Sequence, residues 1–143
     1  MQHSLDPNEA QFAKLSSLPL DTPLAVLNLF AFKDVAAYQP GDPEYGTPAA
    51  EISGQEAFAR YGETAGRIIH ELGGRIAFNA AADQVLIGPE DPDWHVAAIM
   101  YFPSRGAFLE MMANPDFQQA SRHRKAAMKN HHMIHLNGEA FKD

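Results

Sequence analysis

Asn28, Tyr61 and Arg124 are polar residues set on stretches that are otherwise apolar. Asn28 interrupts LAVLNLFAF, residues 24–32. A buried amide must find a hydrogen-bond partner in the protein or in a ligand. Tyr61 falls on the apolar stripe Phe58, Tyr61, Ala65, Ile68, Ile69 and Leu72, at helical spacing. Arg124 lies on the line Phe117, Ser121, Arg124, Met128. An inward arginine requires an anion, either an internal carboxylate or a bound ligand. Asn28, Tyr61 and Arg124, with Trp94 as an aromatic wall, are thus the expected ligand-binding residues. The ligand is a small acidic or aromatic molecule held between helices and sheet. The structural alternative pairs Arg124 with a protein carboxylate and makes Tyr61 and Trp94 packing residues.

Histidine is the second source of chemistry. Of seven histidines, His123, His131, His132 and His135 fall in one C-terminal stretch. His131 and His135 share a strand face with Met133. Such imidazoles can carry protons near neutral pH or ligate a metal or haem iron. No His-Glu-x-x-His pattern accompanies them, so no metal site and no cofactor are expected. An enzyme on this chain would work at the same site. Arg124 then stabilises an anionic intermediate, and His123 or His135 is the candidate catalytic proton carrier. Cysteine chemistry is excluded because the chain has none. There is no Gly-rich phosphate loop and no nucleophile elbow. The residues alone do not decide between an enzyme, a binder and an assembly module without a ligand.

The net charge of -7 argues against nucleic acid, which demands a basic face. The basic run Arg122–Lys125 is one helix segment. The first residues, MQHSLDPNEAQFAKL, do not read as a signal peptide, and no apolar run is long enough to span a bilayer. A soluble cytoplasmic protein without a membrane partner is expected.

These side chains need elements to hold them. Residues 1–23 read as an N-terminal arm with a short helix, capped by Asp6 with Pro7 in its first turn. Residues 24–143 read as a single domain. Its first strand is Leu24–Phe32, apolar on both faces. A Pro- and Gly-rich loop runs from Lys33 to Ser53. Ser53 and Glu56 form a capping box for a helix ended by Gly73-Gly74. Arg75–Phe78 and Gln84–Ile87 read as one strand, bulged at residues 79–82 and followed by a hairpin turn at Gly88–Pro92. Trp94–Phe102 is the third strand. Ser104 caps a helix through Met112, and Asn114-Pro115 opens another to about Lys129. His131–Leu136 is the fourth strand.

The order β-α-β-β-α-β predicts an α+β, ferredoxin-like fold, an antiparallel sheet with helices on one face. The uncovered apolar face calls for a partner, so a homodimer through the sheets is expected. Leu27-Asn28-Leu29, Tyr61-Gly62, Val85–Pro89, Phe102-Pro103-Ser104 and the helix from Phe117 through Arg124 together resemble the domain of unknown function 1330 family. That family sits in the dimeric α/β-barrel superfamily. The resemblance implies a ferredoxin-like subunit in a dimeric α/β barrel. The superfamily includes cofactor-free monooxygenases, isomerases, haem-handling proteins and plain binding proteins, so the resemblance implies no single reaction, and an enzyme on this chain is expected from it to be a cofactor-independent monooxygenase or isomerase.

Overall fold

The computed structural model describes residues 4–142. Helix α1, Glu9–Ser17, belongs to the N-terminal arm. Its cap is Asn8, which closes a reciprocal box with Gln11. The expected cap, Asp6, is engaged elsewhere. Strand β1 spans Leu24–Phe32 and is followed by helix α2, Gly54–Glu71. The Ser53–Glu56 capping box forms as the sequence predicts. Strand β2 is Arg75–Ala81 and β3 is Val96–Phe102. Helices α3, Arg105–Ala113, and α4, Pro115–Ala127, share Asn114 as C-cap and N-cap. Strand β4, Met128–Asn137, starts at the C-cap of α4 with no loop between them.

The sheet order is β2-β3-β1-β4, with every pair antiparallel. This is the ferredoxin-like arrangement. The dimeric α/β barrel is corrected: among the described residues β2 pairs only with β3 and β4 only with β1, so the sheet is open. Gln84–Ile87 does not extend β2, because the ladder ends at Ala81 opposite Val96. Leu86 and Ile87 stand exposed in the connecting loop instead.

Strand alternation assigns the faces. Leu24, Val26, Asn28, Phe30 and Phe32 point to the helices. One core joins Leu24, Val26 and Phe102 to Ile68 and Ile69 of α2 and Phe108 and Met111 of α3. A second gathers Phe30, Phe32, Ala98 and Met128, with Phe58 of α2 and Leu5 of the arm against it. Leu27, Leu29 and Ile99 lie on the opposite face, with Ile134 half exposed. The loop 33–53 is strapped to its own helices. Ala37 N–H donates to the Ala126 carbonyl, and Arg122 grips both oxygens of Glu44 at 2.9 Å. Among the described residues no helix is long and apolar enough to cross a membrane.

Candidate functional site

The site begins with register. On β4, His131 stands opposite Phe30 and Met133 opposite Asn28, all on the helix-side face. Asn28 is 3% exposed. Its Nδ2 donates to the Val26 carbonyl at 3.3 Å and lies 3.1 Å from Met100 Sδ. That orientation leaves Oδ1 to accept from His131 Nε2 at 2.8 Å. His131 is then the Nε2–H tautomer, and its Nδ1 accepts from Arg124 Nη1 at 3.3 Å. Arg124, 9% exposed on α4, also donates through Nη1 to the Leu5 carbonyl at 2.7 Å. Its Nη2 donates to Asp6 Oδ1 at 3.1 Å, and Lys125 Nζ lies 3.2 Å from Asp6 Oδ2. One hydrogen-bonded chain therefore runs from the arm through Arg124 and His131 to Asn28.

Its electrostatics are consistent with that pattern. Burial, then the Arg124 charge and His132, hold the His131 pKa down to about 3. The imidazole is neutral at physiological pH, and both ring nitrogens are committed. A metal or haem iron on Nδ1 would sit beside a guanidinium, so the chain suits an anion far better. Burial raises the Asp6 carboxyl, but Lys125 and Arg124 together outweigh it and its pKa lies below the ordinary value. Tyr61 packs on Phe58 and Phe117, with centroids at 5.7 and 5.9 Å. Burial raises its phenol pKa, against the pull of Arg124.

The structure thus brings Asn28 and Arg124 together through His131 and places Tyr61 within the field of Arg124. It does not bring Trp94 to them. The Trp94 ring lies 4.8 Å from His132, whose side chain alternates to the opposite sheet face from His131. The two candidate proton carriers also lie elsewhere. His135 is edge-on to Phe108 at 4.8 Å, and burial, then Arg105, lowers its pKa. His123 Nδ1 lies 2.6 Å from the Tyr38 hydroxyl, to which Arg60 donates at 3.3 Å. Burial, then Arg122, lowers the His123 pKa. Among the described residues no three His, Asp or Glu side chains gather to hold a metal ion.

Two members of this hydrogen-bonded chain lie outside the four expected ligand-binding residues: His131, read from sequence as a proton carrier or a metal or haem-iron ligand, and Asp6, read as a helix cap. His131 carried a signal, since strand alternation puts it on one face with Met133 and His135. Asp6 carried a misleading one, because Asp-Pro-Asn-Glu reads as a helix start.

A profile of a domain of unknown function (DUF1330) matches residues 44–138. The chain belongs to that family. Tyr61, Trp94, Arg124 and His131 fall inside the matched segment, while Asn28 and the arm precede it. The chain is also similar to two crystal structures of RPA0582, a protein of unknown function from Rhodopseudomonas palustris. The methylated form is 33% identical over 96% of each chain, with a TM-score of 0.84. The other is 33% identical over 93% of this chain and 95% of that one, with a TM-score of 0.81. No curated protein matches the chain. The RPA0582 structures thus give the fold an independent anchor and leave the chemistry to the site.

Proposed function

We propose that the protein is a homodimer that binds a small organic acid at the Arg124–His131–Asn28 chain, between α4 and the sheet. One observation carries this reading. The carboxylate on Arg124 comes from the N-terminal arm and not from the βαββαβ domain, and its own side chain is 52% exposed. Within the βαββαβ domain the partner of Arg124 is the neutral imidazole of His131, with Phe30 against that ring and Tyr61 in the field of the guanidinium. That is a recognition group for a carboxylate on an apolar body. Proton-transfer chemistry has less support, since His131 is committed at both nitrogens and His123 and His135 face other partners.

The second reading makes the Arg124–Asp6 pair structural, with no ligand. It rests on the same ion pair. Calorimetric titration with benzoate, on the protein and on Arg124→Gln, separates the two. The binding reading expects saturable heat that the substitution abolishes. Absence of binding by any protein with a free Arg124, with Arg124→Gln changing stability alone, would establish the structural reading. Native mass spectrometry of the purified protein tests the dimer and any retained small molecule together.

A further inference from the structure

The arm is joined to the body unevenly. Downstream it is fixed: Gly106 N–H donates to the Leu20 carbonyl at 2.8 Å, and Arg105 donates to Thr22 Oγ1 at 2.9 Å and to the Pro19 carbonyl. Upstream of Pro19 the hold is light. Helix α1 buries no residue, and its capping box is internal to the arm. Leu15 reaches the first core only from its margin. Between α1 and α3 lies an open depression of about 370 Å³, lined by Pro7, Phe12 and Ala13 of the arm and Met112 of the body. The firm contacts of residues 4–8 with the body converge on one place. Leu5 packs against the cluster of Phe30, Phe32, Ala98 and Met128, and Leu5 and Asp6 satisfy Arg124.

We propose that Leu5 and Asp6 are a built-in competitor for the site, and that a free carboxylate bearing an apolar ring or chain displaces them. This rests on the binding reading above and names its regulation and ligand class. Leu5 and Asp6 together present an apolar group next to a carboxylate, the two features the site recognises. The imitation is imperfect in one respect. Asp6 engages a single Arg124 nitrogen, and the other is left to a peptide carbonyl. A free carboxylate can accept from both in the stronger two-bond geometry. Tethering compensates for the weaker contact, because a short linker gives the arm a high effective concentration at the site. The arm therefore sets a threshold that only a well-matched acid exceeds.

The test uses the full chain, Asp6→Asn, and benzoate as the probe. Hydrogen exchange over residues 4–17 reports the arm, calorimetry reports the site, and circular dichroism checks that the variant is folded. In Asp6→Asn, exchange in the arm rises and benzoate binds at least ten-fold more tightly. In the native protein, saturating benzoate raises arm exchange to a similar level. Equal benzoate affinity of the two proteins overturns the competitor and leaves the binding reading standing. An arm released by Asp6→Asn with no benzoate binding to either protein overturns the binding reading, and the inference with it. Arm exchange unchanged in the variant and in benzoate-saturated native protein overturns the competitor whatever the affinities.

Discussion

At the scale of single residues, His131 is the side chain whose environment has the largest consequence. Its folded pKa of about 3 lies far below the ordinary histidine value. As pH falls below about 6.5, the unfolded chain takes a proton that the native chain refuses, so stability falls. The sign is the same for His123 and His135, whose pKa values are also lowered. Below the ordinary carboxylate range Asp6 and Glu44 add to the loss, Glu44 being held to about 2 chiefly by its hydrogen bond from Arg122. The unfolding free energy measured in urea should therefore drop from pH 7 to pH 5, at up to about 1.4 kcal/mol per pH unit for each such histidine, and the midpoint with it. His131→Gln should flatten that slope, and a midpoint independent of pH in this window would refute the buried neutral imidazole. Asn28→Ala leaves the His131 Nε2–H without its acceptor and should cost about 1–3 kcal/mol in the same assay. Asp6→Asn should cost less than about 1 kcal/mol, because its carboxylate is half exposed. A much larger loss would favour a purely structural ion pair. Asn28 and Arg124 were legible as inward polar residues from their neighbours, since each breaks an apolar line. Asp6 was not, because its partner lies 118 residues away and no local pattern encodes that contact.

Elements were legible where the signal is local. The Ser53–Glu56 box, the Ser104 cap and Pro115 at the start of α4 each place a helix end where the sequence predicts it. Gln84–Ile87 misled because an apolar run reads as a strand, whereas membership in a sheet depends on a partner. β3 begins pairing at Val96 opposite Ala81, and the ladder goes no further than the Ala82 N–H bond to the His95 carbonyl at 2.9 Å, short of Gln84–Ile87. The loop 33–53 was legible as unusual but not as a strap, since its attachment depends on distant groups. One of these is Gly54, which receives the chain from that loop. A β-carbon there would lie 2.2 Å from the Lys33 carbonyl oxygen and 2.8 Å from that of Ala127. Both oxygens already accept hydrogen bonds, from Gly54 N–H at 3.1 Å and Lys33 N–H at 2.8 Å, so neither can yield freely. Gly54→Ala should lower stability by about 1–3 kcal/mol in urea denaturation, as overpacking does. A neutral result would show that the junction of β1, α2 and α4 is plastic. Gly62 has open space at the same position and is the fitting control for helix propensity, since Gly62→Ala should not destabilise.

For the whole molecule, the order β2-β3-β1-β4 was within reach of sequence reasoning because β-α-β-β-α-β connections have few compact solutions. The state of the sheet was not, since closure is a relation among strands that no single strand announces. The open sheet leaves one face without helices. Leu27, Leu29 and Ile99 lie there, and Phe78 and Ile134 are 44% and 49% exposed. Contiguous apolar surface of this kind marks an interaction site. A second copy is the partner that needs no further component, and a two-fold axis would set the same residues against themselves. Ile134→Lys places a charge on that face, half-way along the edge strand β4 and beside Leu27, while leaving the helix side untouched. Sedimentation should report a dimer for the native chain and a monomer for the variant, with unchanged circular dichroism. The single tryptophan offers a second readout, because Trp94 packs on His132 of the same face. Dilution through the dissociation range should therefore shift Trp94 emission in the native protein and leave Ile134→Lys unaffected. A native chain that sediments as a monomer at every concentration would leave the apolar face to a different partner. The hydrogen bonds that join Arg124, His131 and Asn28 do not depend on the outcome, because these residues lie on the other side of the sheet within one chain.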